Sequence, residues 1–231
     1  MLIVNLATGA GLTWFFIVLA GILVAASLIV CPLMVPENKM ITTMGSFTAS
    51  VILLLAIINI YSHGTWFLVA ASATLFGLTM LFAPFIVFRR PVNAYVKKSK
   101  GLAIMAAYTA TFFLMMTCIG ITAGAKDFFP MALSISVPLV SICWAVFATI
   151  RYLRVNALAK IGISILSVGV LSGIMSNLIY LVDVSTSITG VDYHTNPSLP
   201  LMLSIGGLGA LLAGLGLLIG KFKGEKKNEN K

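Results

Sequence analysis

Seven apolar runs of roughly twenty residues each, separated by short loops, constrain this chain more than any motif it carries. Of its 231 residues, 60% are hydrophobic and only 9% are charged. A soluble domain carries about 25% charged residues, and a core built from a chain of this length has no room for so much apolar surface. Hydrocarbon is the solvent that accepts it. In lipid the backbone must satisfy its own hydrogen bonds, which leaves helices or a closed barrel. A barrel strand alternates in polarity, and runs such as Val51 to Ile60 and Leu211 to Ile219 do not. The expected fold is therefore all-α and polytopic. Its spans lie near Leu12–Val30, Ile41–Tyr61, Thr65–Phe88, Leu102–Ala123, Phe129–Ile150, Ile161–Val182 and Leu199–Gly220.

The charges orient this threading. Arg89, Arg90, Lys97, Lys98 and Lys100 share one loop, and Arg151, Arg154 and Lys160 share another. Lys221, Lys223, Lys226, Lys227 and Lys231 crowd the C-terminal tail, and the first short loop has Glu37 and Lys39. Seven crossings place all of these on one side, leaving Lys126 as the single exception among 15 Lys and Arg. The positive-inside rule makes that side cytoplasmic, with the N-terminus outside and the C-terminus inside. The net charge of +9 then reads as topology plus attraction to anionic inner-leaflet lipids, not as a nucleic-acid footprint. Residues 1–220 form one transmembrane domain, and residues 221–231 form a basic tail expected to be flexible. The first span lacks the basic leader and small-residue cleavage site of a signal peptide. The three cysteines, Cys31, Cys118 and Cys143, offer no disulfide framework.

Short similarities recur along the chain. Asn5-Leu6-Ala7-Thr8 before Thr13-Trp14-Phe15 matches Asn59-Ile60-Tyr61-Ser62 before Thr65-Trp66-Phe67. Gly120-Ile121-Thr122-Ala123 before Asp127-Phe128-Phe129 is a looser version. On the inner side, Val92-Asn93-Ala94 and Val155-Asn156-Ala157 each follow a basic run. The pattern reads as three parallel helical hairpins followed by a lone seventh helix. Aromatic residues at the outer helix starts fit the headgroup level.

The stretch Asn5 to Val35, the turn Tyr61-Ser62-His63-Gly64-Thr65-Trp66-Phe67, and Ile150-Arg151-Tyr152-Leu153 with Asn156 carry a resemblance. They resemble the hydrophobic C-terminal membrane domain found on XRE-type helix-turn-helix regulators in Firmicutes. The resemblance runs from about Asn5 to about Val182 and implies a bacterial cytoplasmic membrane and a sensing or partner-binding module. Those regulators place a DNA-binding domain ahead of the membrane part. Here the first span starts near Leu12, so DNA binding is not part of the expectation.

No Asp, Glu, Lys, Arg or His lies deep in a span, which argues against a proton pump or an ion-coupled carrier. The outer face gathers His63, Asp127, Asp183, Asp192 and His194. These are the only residues that offer a zinc-like ligand set, and their spacing matches no metal motif. No cofactor is expected. Small residues on the last span, Gly206, Ala210, Gly214, Gly216 and Gly220, form faces that let helix backbones approach closely. They serve either intrachain packing or a partner subunit, including a second copy. Ser134, Ser136, Ser141, Ser164, Ser167, Ser172 and Ser176 have no base in their layer and read as structural. Pro84 and Pro138 are expected to kink their helices, with local adjustments satisfying the freed carbonyls. The leading expectation is a non-enzymatic integral membrane module for envelope sensing or partner binding. A small transporter or permease subunit is the first alternative, and an outer-face metal-dependent hydrolase is the second.

Overall fold

The computed structural model describes residues 14–35, 38–89, 92–96, 99–124, 128–186 and 198–229. Every described element is a helix: α1 (Phe15–Ile29), α2 (Cys31–Met34), α3 (Lys39–Tyr61), α4 (Phe67–Val87), α5 (Val92–Tyr95), α6 (Lys100–Ala123), α7 (Phe128–Tyr152), α8 (Ala157–Thr186) and α9 (Ser198–Glu229). Six of them (α3, α4 and α6 to α9) are long and apolar enough to cross a membrane, and α1 is a shorter apolar helix. The 23 residues of α3 span about 35 Å, enough for a hydrocarbon core of about 30 Å. The 15 described residues of α1 span about 22 Å. The chain is a multi-pass helical membrane protein.

Among the described residues, what is buried is mostly small, with Val87 the largest aliphatic side chain, and what is exposed is large. Ala20, Ala83, Ala159, Ala213, Ser27, Ser50, Ser72, Ser134, Ser136 and Thr149 are buried. Among the described residues no large side chain is fully buried, while Leu211 is 68% exposed and Leu33 is 78% exposed. A soluble protein would invert this distribution. In lipid, exposed leucine costs nothing, and helix association is left to close packing of small residues. Most of the bonded Ser and Thr hydroxyls inside the spans turn back on their own helices. Thr48 donates to Met44 O, Thr79 to Leu75 O, Thr149 to Ala145 O and Ser167 to Ile163 O, all at 2.7–2.8 Å. Such bonds hide a polar group from hydrocarbon without recruiting a neighbour.

Two compact units meet in sequence at Gly124. In the first, α1 packs on α3, α3 on α4 and α4 on α6. Aromatic pairs mark each contact: Phe16 with Tyr61, Phe47 with Phe82, and Phe76 with Phe112. Ser46 on α3 donates to Cys31 Sγ on α2 at 3.2 Å. Pro84 lies inside α4 and has no N–H, so the Met80 carbonyl loses its helical donor. Tyr108 on α6 fills the vacancy, its hydroxyl donating to Met80 O at 2.9 Å. The proline and the phenol are one device. Tyr108→Phe should therefore cost about 1 kcal/mol. In a Pro84→Ala background, where a backbone N–H returns, the same change should cost close to nothing. A double-mutant cycle of unfolding in micelles measures this coupling.

In the second unit α7 packs on α8, and α8 packs along α9. Their ends around residues 150–160 and Gly216 are tied by side chains. Lys160 Nζ donates to Ile150 O at 3.1 Å, placing a cation on the C-terminal carbonyls of α7, where the helix dipole favours it. Asn156 Nδ2 donates to Gly216 O at 3.3 Å. The helix bounds shift from the expected spans along the whole chain, most in this unit, where α8 extends four residues beyond Ile161–Val182 at each end. Helix α8 begins at Ala157 and includes Lys160, and α9 runs past Gly220 through the basic tail to Glu229. Lys and Glu are good helix formers, so a charged tail can extend a helix that has left the hydrocarbon.

Candidate functional site

The outer-face set is only partly visible. Asp127, Asp192 and His194 lie outside the described residues, as does the side chain of Asp183 on α8. His63 sits in the turn between α3 and α4, in the left-handed backbone region at φ 49°. Its N–H donates to Ile60 O at 3.3 Å, and Gly64 N donates to Asn59 O at 3.1 Å, closing the turn. The Trp66 indole lies directly over Gly64, in space that any Cβ there would need. The turn is thus shaped by backbone conformation and ring packing. Among the described residues no three of His, Cys, Asp and Glu gather to hold a metal.

The small residues of α9 divide between two faces. A Cβ on Gly216 would collide with the Ala159 backbone of α8, and one on Gly220 would come within 2.8 Å of Asn156 Nδ2. Gly206 lies against Gly169, where a Cβ on Gly169 would stand 2.7 Å from the Gly206 amide nitrogen. Gly214 has nothing within 4 Å of a built Cβ, and Ala210 is exposed. Two residues that the sequence did not single out, Gly162 and Gly209, make equally close approaches, to Ala213 and Leu166 respectively. Their seven-residue spacings, Gly162 to Gly169 and Gly209 to Gly216, return a residue to the same face after two turns.

A cleft opens at the other end of the first unit from His63. It has a volume of about 590 Å³ and is lined by Asn38, Lys39, Met40, Phe88, Arg89 and Asn93, with Ile41. A shallower groove of about 400 Å³, lined by Met40, Pro84, Phe85, Phe88 and Arg89, shares three of those residues. Lys39 opens α3, and Phe88 and Arg89 follow the last turn of α4. Asn38 takes the left-handed conformation at φ 59° and makes no side-chain cap bond. Lys100 Nζ stands 4.9 Å from the Phe88 ring centroid, a cation–π distance. The lining therefore brings together two cations (Lys39, Arg89), two amides (Asn38, Asn93) and apolar side chains (Met40, Ile41, Phe88).

From the sequence, Lys39 and Arg89 served only to set topology. A signal was present nonetheless. A hairpin of antiparallel helices that turns at His63 brings the residues at equal distance on either side to one level, so Lys39 meets the end of α4. Comparison of this chain with protein-family models, with curated proteins and with solved structures found no match.

Proposed function

We propose that this protein is a non-enzymatic integral membrane module that senses the envelope or binds a partner through its basic inner loops. One observation carries the reading: the spans use their polar groups on themselves. Most of their bonded hydroxyls donate within their own helices, Tyr108 is committed to Met80, and Gly162, Gly169, Gly209 and Gly216 carry the close approach of α8 and α9. The charged and amide groups available to another molecule stand at the helix ends, among them Lys39, Arg89, Asn93 and Arg154. In this reading the membrane part anchors and positions, and the inner ends recognise.

The test places a photo-crosslinking residue at Ala94 or Ala157, both exposed and both beside a basic run. Irradiation of cells should yield a discrete protein adduct, either a partner or a second copy, from at least one position. Recovery of the uncrosslinked chain alone from both positions would overturn the proposal. So would solute flux through the purified chain in liposomes, which would support the transporter alternative.

A further inference from the structure

We propose that the cleft between the start of α3 and the end of α4 is a binding site for one anionic phospholipid. The phosphate would sit between Lys39 and Arg89, and an acyl chain would lie along Met40, Pro84 and Phe85. The two hollows share Met40, Phe88 and Arg89, so the hollow that Lys39 also lines adjoins the groove along Pro84 and Phe85. That is the outline of an amphiphile. A free phosphate would need only the first half, and a peptide would find no backbone pairing partner in the second.

Depth selects the same ligand. Lys39 is the first residue of a 23-residue span, and Phe88 follows the last turn of the 21-residue span α4. Both therefore stand at headgroup level, where a basic pocket between helix ends favours lipid phosphate. Arg89 brings a planar fork of donors suited to phosphate oxygens, and Lys39 a point charge. Asn38 and Asn93 supply amide donors at the same rim. Lys100 stands over the Phe88 ring and adds a third cation nearby. Glu37 belongs to this loop and lies outside the described residues. Counted as a full negative charge against Lys39, Arg89 and Lys100, it still leaves the region net positive.

The site differs from diffuse attraction of a basic protein to an acidic leaflet, and the experiment separates the two. The full chain is purified in detergent and exposed to equal amounts of phosphatidylglycerol and phosphatidylcholine of matched chains. Retained lipid is then counted by native mass spectrometry. The unaltered chain should hold one phosphatidylglycerol in preference to phosphatidylcholine. The pair Lys39→Gln and Arg89→Gln should reduce that retention about tenfold or more, since each cation near a lipid surface adds to the attraction for an anionic headgroup. The charge-matched pair Arg154→Gln and Lys221→Gln, at exposed positions outside the cleft, should leave it unchanged. The charge-keeping pair Lys39→Arg and Arg89→Lys should hold the lipid, which separates loss of charge from loss of fold. Phe85→Ser should weaken retention while leaving the preference for the anionic headgroup. Equal loss in both Gln pairs, equal retention of the two lipids, or displacement by millimolar inorganic phosphate would each overturn the proposal.

Discussion

Replacing Gly216 with alanine should destabilise the α8–α9 pair by about 3 kcal/mol or more, at the upper end of what overpacking costs. The added methyl would meet the backbone of Ala159, not a side-chain tip. No rotamer change relieves such a clash, so the helices must part along their contact. Gly209→Ala meets the Leu166 backbone and Gly162→Ala the Ala213 backbone, and both should behave alike. The control carries the opposite sign. At Gly214 a Cβ finds open space, so Gly214→Ala should be neutral or stabilising by up to about 1 kcal/mol through helix propensity. Unfolding against SDS mole fraction measures all four. Equal behaviour of Gly214→Ala and Gly216→Ala would mean that α9 presents a different face to α8.

The same helix shows how far the sequence could be read and where it stopped. The existence of the spans was legible because hydrocarbon selects on a long average, which survives local errors in boundary. Their ends were less so: α8 starts at Ala157 and carries Lys160 on its first turn, because a helix continues after the apolar run has ended. Small residues on α9 were visible as a stripe at four-residue steps. Which of them meet α8 depends on the partner helix and its register: Gly216 and Gly220 do so, Gly214 does not, and Gly209 and Ala213 complete the contact at the alternating three- and four-residue steps of one helix face. The cleft was hidden for a related reason. Lys39 and Arg89 are distant in sequence and become neighbours only because α3 and α4 fold back at His63. Pro84 announced a freed carbonyl, but nothing in its own segment pointed to Tyr108 as the donor.

A cysteine at Ser62 should react with a membrane-impermeant maleimide on intact cells, while cysteines at Ala94 and Ala157 should react only after permeabilisation. The contrast should approach all-or-none, in a background from which Cys31, Cys118 and Cys143 have been removed. All three positions are exposed in the structure, so access depends on the side of the membrane and not on burial. Within the first unit, Ser62 and Ala94 lie beyond opposite ends of α4, which fixes them on opposite sides once α4 crosses. The loop around Ala94 contains five cations and the segment from Arg151 through Lys160 contains three. Holding those charges against the membrane potential favours the inside by about 2.3 kcal/mol per charge per 100 mV. Labelling of Ala94 from outside, with Ser62 protected, would invert the protein and move the Lys39–Arg89 cleft to the outer leaflet. Labelling of Ala94 and Ala157 on different sides would require that one of α6, α7 or their connection does not cross as a simple span. In that case the charge pattern would have to be explained by something other than orientation.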